Sequence, residues 1–138
     1  STGVIKFVVA EGGYGKTDYF TTAKPDLSKI VSIAIDGSIW LLANDGALTK
    51  YTKGVRDTFE IKGLDVLKNP IQIFTTPEIN NLYILDPGTS RIIQLQKDGL
   101  VKTSFRSDVL SNAKAITLSS DEKSIYVLSD NKIWKLTP

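Results

Sequence analysis

A short apolar run recurs three times along the 138-residue chain. Residues 39–42 (Ile-Trp-Leu-Leu), 82–85 (Leu-Tyr-Ile-Leu) and 125–128 (Ile-Tyr-Val-Leu) each carry an aromatic residue in second place. The runs begin 43 residues apart, and a polar turn rich in Asp, Gly or Asn follows each of them. A fixed period of this length is typical of a repeat architecture, in which each copy is one small unit that packs against the next.

The segments around these runs recur as well, which gives four segment types, A to D. The runs above are type B. Type C follows them, type A precedes them, and type D pairs a basic residue with a downstream aromatic residue. Type C comprises residues 48–51, 92–95 and 133–136 with a fourth copy at 4–7; type A centres on Ile33, Ile73 and Ile116; type D contains Lys16 with Phe20, Arg56 with Phe59, and Lys102 with Phe105. The chain therefore reads CD, ABCD, ABCD, ABC, which is thirteen segments.

The composition of these segments predicts β-strands. Val, Ile, Thr and aromatic residues are dense in them, and residues 31–35 alternate between larger apolar and smaller side chains. Asp-Gly pairs at 36–37, 45–46 and 98–99 and the Pro-Gly pair at 87–88 lie between segments, as turns require. No window of 12 or more residues has a helical period, and one brief helical turn is expected near residues 108–110.

Type B segments are apolar on both faces, so a sheet is needed on either side of each. Radially stacked four-stranded sheets supply this cover, and 40–45 residues is the usual length of one propeller blade. We therefore predict an all-β fold of β-propeller blades in an incomplete ring of about three. The predicted division is 1–22 (strands C and D of a partial blade), 23–62 and 63–107 (whole blades) and 108–138 (a blade without its last strand). A β-sandwich of unrelated strands is the alternative, and the constant order of the segments argues against it.

The segment 82–92 (Leu-Tyr-Ile-Leu-Asp-Pro-Gly-Thr-Ser-Arg-Ile) resembles an NHL-type repeat. In that family an aromatic-containing strand ends in Asp, crosses a small-residue turn and resumes with Arg and an aliphatic residue, as Asp86 and Arg91 do here. The other copies keep the acid but have Ala47 or Lys132 in place of Arg91. The pattern is also similar to gluconolactonase-like and TolB-like six-bladed propellers and to propeller tails of some bacterial proteins. The resemblance implies a fold, and function does not follow from fold alone.

About three blades cannot close a ring, because closed propellers have about four to eight. An open stack would leave an apolar blade face in water. We therefore expect the chain to form a homodimer or to meet missing blades of its parent chain. In a six-bladed dimer, strand D at about residues 14–21 of one copy would complete the last blade of the other. Residues 4–7 would then be a surplus strand.

Composition excludes several kinds of chemistry. The formal net charge is +2 and the lysines are spread evenly, so no nucleic-acid binding is predicted. No apolar stretch approaches the roughly 18 residues of a membrane helix, so no membrane insertion is expected in this segment. The absence of Cys and His removes thiolate and imidazole chemistry, and we predict no metal site and no cofactor.

Residues 10–17 (Ala-Glu-Gly-Gly-Tyr-Gly-Lys-Thr) fit a loose phosphate-loop pattern. A phosphate loop needs a following helix, whose N-terminal N–H groups hold the anion. The next residues are aromatic and β-branched and reach Pro25 within about two turns, which disfavours a helix. We interpret the segment as a glycine-containing hairpin between strands C and D.

Acidic residues stand at equivalent turns between strands B and C, and they are the only ligand-binding candidates. They are Asp45, Asp86 and Asp130. A ring would bring such carboxylates to one face, where they could bind a cation or a sugar, but we favour turn formation by Asp as their role. Asp86 with Arg91 is interpreted as a structural pair that ties the turn. Glu122 is interpreted as part of a solvated turn at 119–124, and no catalytic residue is predicted.

These observations favour a non-enzymatic scaffold that binds a protein or peptide through its loops. The predicted binding loops lie between strands D and A (about 21–28, 62–69 and 107–113) and between strands B and C (44–46, 86–90 and 129–131). One alternative is a part of a metal-dependent lactonase or hydrolase-type propeller enzyme. The other is a structural segment that assembles with itself and has no ligand.

Overall fold

Thirteen strands form four antiparallel sheets in the computed structural model, which describes residues 3–138. The short 3-10 helices are Leu27–Lys29, Pro87–Thr89 and Asp108–Asn112, and the last of them confirms the expected helical turn. No helix within residues 3–138 has the length and apolar character needed to cross a membrane. The strands are β1 (Ile5–Ala10), β2 (Gly13–Asp18), β3 (Ile30–Ile35), β4 (Ile39–Ala43), β5 (Leu48–Thr52), β6 (Val55–Arg56), β7 (Gln72–Phe74), β8 (Asn81–Asp86), β9 (Arg91–Gln96), β10 (Val101–Arg106), β11 (Ala113–Leu118), β12 (Ile125–Ser129) and β13 (Lys132–Leu136).

The strands pair only with their neighbours in sequence. The hairpin sheet contains β1 and β2, the second sheet β3 to β6, the third sheet β7 to β10 and the fourth sheet β11 to β13. This order of two, four, four and three strands matches the segment order CD, ABCD, ABCD, ABC, so the all-β prediction is confirmed. How the stretches between the sheets divide among the repeats stays a prediction.

Each sheet has a forward face toward the next sheet in the chain and a backward face toward the previous one. On β4 of the second sheet, Trp40 and Leu42 point forward and pack with Ile73 and Ile84 of the third sheet. The forward face of the third sheet carries Tyr83 and packs on the fourth sheet in the same way. Since all six residues of β8 are buried, this strand is covered on both faces, as its sequence predicts.

The first strands of the second, third and fourth sheets are tied by side chains as well as by packing. The backbone N–H of Ile73 donates to Ser32 Oγ on β3, at 3.0 Å. Gln72 Oε1 accepts from the backbone N–H of Ile116 at 2.7 Å, and its Nε2 donates to the Ile116 carbonyl at 2.9 Å. These bonds satisfy backbone groups on the edge strands of the third and fourth sheets, which have no neighbouring strand on that side.

The fourth strand of the second sheet differs from the prediction. The sequence pattern places Phe59 in this strand, but β6 contains only two residues. The Phe59 ring packs edge-on against Trp40 with ring centroids 5.0 Å apart, and the chain then crosses to the third sheet. There the N–H of Lys62 donates to the Gly99 carbonyl at 2.9 Å, and the N–H of Val101 donates to the Lys62 carbonyl at 3.1 Å. Residues 57–62 therefore form a strap between two sheets.

Gly99 is required where the strap crosses the third sheet. Its φ is +98°, and a Cβ atom there would overlap the carbonyl oxygen of Glu60. Gly37 has a similar φ of +101° but has no atom within 4 Å of such a Cβ. We expect Gly37→Ala to lower the free energy of unfolding by about 1–2 kcal/mol, because alanine is strained in the left-handed region. Gly99→Ala should lower the free energy of unfolding by about 1–3 kcal/mol more, because its Cβ would overlap the strap. Chemical denaturation of both variants measures the difference, and equal losses would show that the strap does not press on Gly99.

Candidate functional site

The glycine-rich segment near the N-terminus forms a hairpin and not an anion site. Residues 10–17 cover the end of β1, a turn and most of β2, and Ala10 pairs with Gly13 across the turn. Gly12 and Gly13 adopt φ of 84° and 148°, which the tight turn needs. Because no helix follows, backbone N–H groups are not gathered around a phosphate position. The hairpin interpretation is confirmed.

The three candidate aspartates have different environments. Asp45 is exposed and accepts a hydrogen bond from the N–H of Ala47 at 3.0 Å, as turn aspartates do. Asp130 is exposed and has a left-handed backbone with φ of 51°. Asp86 is completely buried at the end of β8. Within residues 3–138, no group of three or more acidic side chains is arranged to hold a metal ion.

Asp86 and Arg91 form a buried clasp beneath the loop at residues 62–69. Asp86 Oδ1 accepts from the N–H of Asn69 at 2.8 Å, and its Oδ2 accepts from the N–H of Lys68 at 3.2 Å. The hydroxyl of Thr89 also donates to Oδ2, at 2.6 Å. Each carboxylate oxygen therefore accepts a hydrogen bond within the chain, which gives Asp86 a structural role.

Arg91 holds the same loop from the other side of the turn. It faces Asp86 in the register of β8 and β9, and its Nε lies 4.0 Å from Asp86 Oδ2. One guanidinium nitrogen donates to the Val66 carbonyl at 3.1 Å, and the other lies 3.7 Å from the exposed carboxylate of Asp65. The Arg91 side chain is 4% exposed. The interpretation of Asp86 with Arg91 as a structural pair thus agrees with the geometry, and the pair is buried.

The clasp presents an apolar side chain on a fixed loop. Leu67 is buried in the core between the second and third sheets, while the neighbouring Val66 is 83% exposed. Beside Val66 lies an open groove of about 430 Å³, which we call the loop groove. Its walls combine apolar side chains with Asp45, Asp65 and Arg56. The apolar contributors are Ala47, Leu48, Ile61, Leu64, Val66 and Leu67.

Comparisons with known proteins bear on the fold. No model of a known protein family matches the chain, and no curated protein is significantly similar to it in sequence. Among solved structures, a Bacteroides uniformis protein proposed to be a 6-phosphogluconolactonase matches with a TM-score of 0.62 at 16% identity, over 95% of this chain and 46% of that one. KlHsv2, in a form with loop 6CD replaced by a Gly-Ser linker, matches with a TM-score of 0.54 at 12% identity, over 78% of this chain and 35% of that one.

Both of these structures have propeller folds, and the four antiparallel sheets described above agree with that architecture. The chain has a β-propeller fold. Its sheets are propeller blades, and it spans less than half the length of either matched structure. At these identities the likeness concerns the fold alone, so the site must be argued from its own residues.

A second polar cluster joins two blades of the propeller. Glu122, in the turn before β12, reaches the third sheet, where its Oε1 accepts from the N–H of Asn80 at 2.7 Å. Its Oε2 accepts from Asn81 Nδ2 and from the Tyr83 hydroxyl, both at 2.6 Å. Gln94 Nε2 completes the cluster by donating to the Tyr83 hydroxyl at 2.8 Å. Glu122 lies in the predicted turn between β11 and β12, but the prediction that it is solvated is wrong, because its side chain is half-buried against the third sheet.

The environment of this cluster shifts the pKa values of its two ionisable groups in opposite directions. Burial alone would raise the pKa of Glu122, but the hydrogen bonds from Asn81, Tyr83 and the backbone outweigh it and lower the pKa. Burial and the neighbouring Glu122 carboxylate raise the pKa of the Tyr83 hydroxyl. Glu122 is thus held ionised and Tyr83 neutral, which suits a structural lock and not proton transfer near neutral pH.

Asp86 and Asp45 form a matched pair for testing the clasp. Asp86→Ala removes the buried carboxylate beside the Arg91 guanidinium and leaves it only the exposed one of Asp65, so we expect a loss of about 3–5 kcal/mol in the free energy of unfolding. Asp45→Ala removes one exposed turn bond and should lose about 0.5–1 kcal/mol. Hydrogen exchange provides a local readout, since the amides of Lys68 and Asn69 should exchange faster only in the Asp86 variant. Unchanged exchange of these amides would contradict the clasp.

Glu122 should make the propeller sensitive to acid. A carboxylate with a lowered pKa in the folded state stabilises it above the unfolded pKa, and the contribution is lost as the pH falls through the folded value. We expect the parent to lose stability between about pH 5 and pH 3 more steeply than Glu122→Gln does. Chemical denaturation across this range measures both profiles, and Glu60→Gln controls for loss of one exposed negative charge. Parallel profiles for parent and Glu122→Gln would argue against the lock.

Proposed function

We propose that this propeller segment is a non-enzymatic scaffold that binds a protein or peptide at the loop groove. The observation that carries the proposal is the clasp, which fixes the backbone at Val66, Lys68 and Asn69 from below while Val66 itself faces solvent. A loop of this kind loses little conformational freedom on binding, so a contact to Val66 contributes more of its energy to affinity. Loops held by rigid sheets are where propellers and other β folds present binding residues.

The composition of the loop groove suggests the chemistry of its ligand. An extended peptide with an apolar side chain would fit against Leu64 and Val66, where it would displace water from apolar surface. The carboxylates of Asp45 and Asp65 flank the apolar part and outnumber the guanidinium of Arg56, so they favour a basic residue next to the apolar one. We propose a peptide of mixed apolar and basic character as the ligand class.

The proposal extends to the family affiliation of the third sheet and to one alternative function. The buried Asp86–Arg91 pair supports an NHL-type affiliation of the third sheet, because it spans the turn that the family pattern describes. The alternative function is that of a propeller enzyme, and its support is the structural likeness to a protein proposed to be a 6-phosphogluconolactonase. The saturated hydrogen bonds of Asp86 and Glu122 favour the scaffold, since neither carboxylate is available for acid–base chemistry.

Selection from a displayed peptide library against the chain tests the scaffold directly. We expect enriched peptides that carry apolar and basic residues. Because Val66→Asp removes an apolar contact of about 1.5–3 kcal/mol, their affinity for that variant should fall by at least about tenfold. Val55→Asp, at a half-exposed valine on β6, is the matched control and should leave affinity unchanged. Peptides that bind the Val66 variant as well as the parent would refute the loop groove, and hydrolysis of 6-phosphogluconolactone by the chain would favour the enzyme.

A further inference from the structure

The last sheet exposes a face that is buried in the sheet before it. Tyr126, Leu128 and Ile133 occupy the forward face of the fourth sheet and are 37%, 42% and 77% exposed. Their counterparts in the register of the third sheet are Tyr83, Leu85 and Ile92, all completely buried beneath the fourth sheet. The exposed face encloses a shallow groove of about 340 Å³. The same pattern of side chains is therefore buried on the third sheet and exposed on the fourth.

The opposite end of the chain exposes the complementary half of such a joint. Ile33 on β3 is 47% exposed, whereas its counterparts Ile73 and Ile116 are 2% and 4% exposed. The hairpin sheet has only two strands, and Val4 and Phe20 cover the outer part of this backward face near Ile39 and Tyr51. The inner strand is left uncovered, so Val31 and Ile35 are exposed beside Ile33.

The two internal joints show which residues meet when such faces pack. Ile73 lies in one cluster with Trp40 and Leu42 of the preceding sheet. Ile116 lies in one cluster with Tyr83 and Leu85 in the same register. A third joint of this kind would place Ile33 against Tyr126 and Leu128. The chain carries both halves of such a joint at opposite ends, so a second copy of the same chain offers the complementary surface.

We propose that two copies associate head to tail, with the forward face of the fourth sheet of one copy on the backward face of the second sheet of the other. The fourth sheet supplies three strands and the hairpin sheet two, so a four-stranded blade made from both would leave one strand, β1, surplus, as the sequence predicts. Such an interface is heterologous, so it closes into a ring or continues as a longer assembly. This joint lies apart from the loop groove, so either proposal can fail alone.

One position sets the chemistry of the new joint apart from the internal ones. Ser32 and Gln72 tie their sheets to the next one through hydrogen bonds to its backbone. The residue in the same register of the fourth sheet is Ala115, which offers only a methyl group. The joint between copies therefore rests on apolar contact, and a charge placed within it should disrupt it.

Solution mass at several protein concentrations is the first test. We expect the parent to have the mass of two chains of 15.1 kDa or more, and Leu128→Asp and Ile33→Asp each to have the mass of one chain. Both positions are already half-exposed, so the variants should still melt cooperatively. Val55→Asp again serves as the matched control and should keep the parent mass. A parent mass of one chain at all concentrations would overturn the proposal.

Mixing the two variants tests the head-to-tail orientation. Leu128→Asp keeps an intact backward face and Ile33→Asp keeps an intact forward face, so an equal mixture should recover a two-chain species. A joint between two forward faces or two backward faces would be broken by only one of the two variants, and that result would overturn the orientation.

Cross-linking does not depend on the aspartate variants. The parent has no cysteine, so Ile33→Cys and Leu128→Cys introduce single reactive sites. A short bifunctional maleimide should join the two variants to each other in a mixture and should give little product with either alone. Equal products from all three samples would contradict the head-to-tail joint.

Discussion

Every residue of β8 from Asn81 to Asp86 is shielded from solvent. Alternate side chains of a strand point to opposite faces, so this shielding requires a sheet on either side. The second sheet covers Leu82 and Ile84, and the fourth covers Tyr83 and Leu85. The stacking of sheets, the 43-residue period and the ties between first strands all follow from that requirement. A sheet without a neighbour on one side would expose an apolar face to water.

The same requirement explains why the fold could be predicted from the sequence. A run such as residues 82–85, apolar at every position but too short for a helix, specifies a strand buried on both faces. Repetition at a constant spacing then fixes the order of the strands. The strap at residues 57–62 could not be predicted in this way, because Phe59 satisfies the strand pattern equally well. What decides its place is the Trp40 ring of its own sheet and the backbone at Gly99 of the next, both distant in sequence.

The sites were less accessible to prediction because equivalent sequence positions are not equivalent in space. Asp45, Asp86 and Asp130 occupy the same turn of the repeat, yet only Asp86 has a loop above it that offers two N–H groups. From the sequence, Glu122 could be assigned only to a turn, because its partners lie about 40 residues earlier. They are Asn80, Asn81 and Tyr83. A signal was present, since a buried tyrosine hydroxyl needs a hydrogen-bond partner and Tyr83 recurs at an aromatic position.

The internal joints and the proposed joint between copies differ in strength for a physical reason. Each internal joint combines apolar burial with hydrogen bonds from Ser32 or Gln72, and the Glu122 cluster adds to the joint between the third and fourth sheets. At the end of the chain Ala115 replaces the tying residue, and Tyr126 and Leu128 have already lost part of their exposure within the sheet. Less apolar area thus remains to be buried between copies than within one, and association must also overcome the loss of translational freedom. Dilution should therefore separate whole chains while the sheets within each remain stacked.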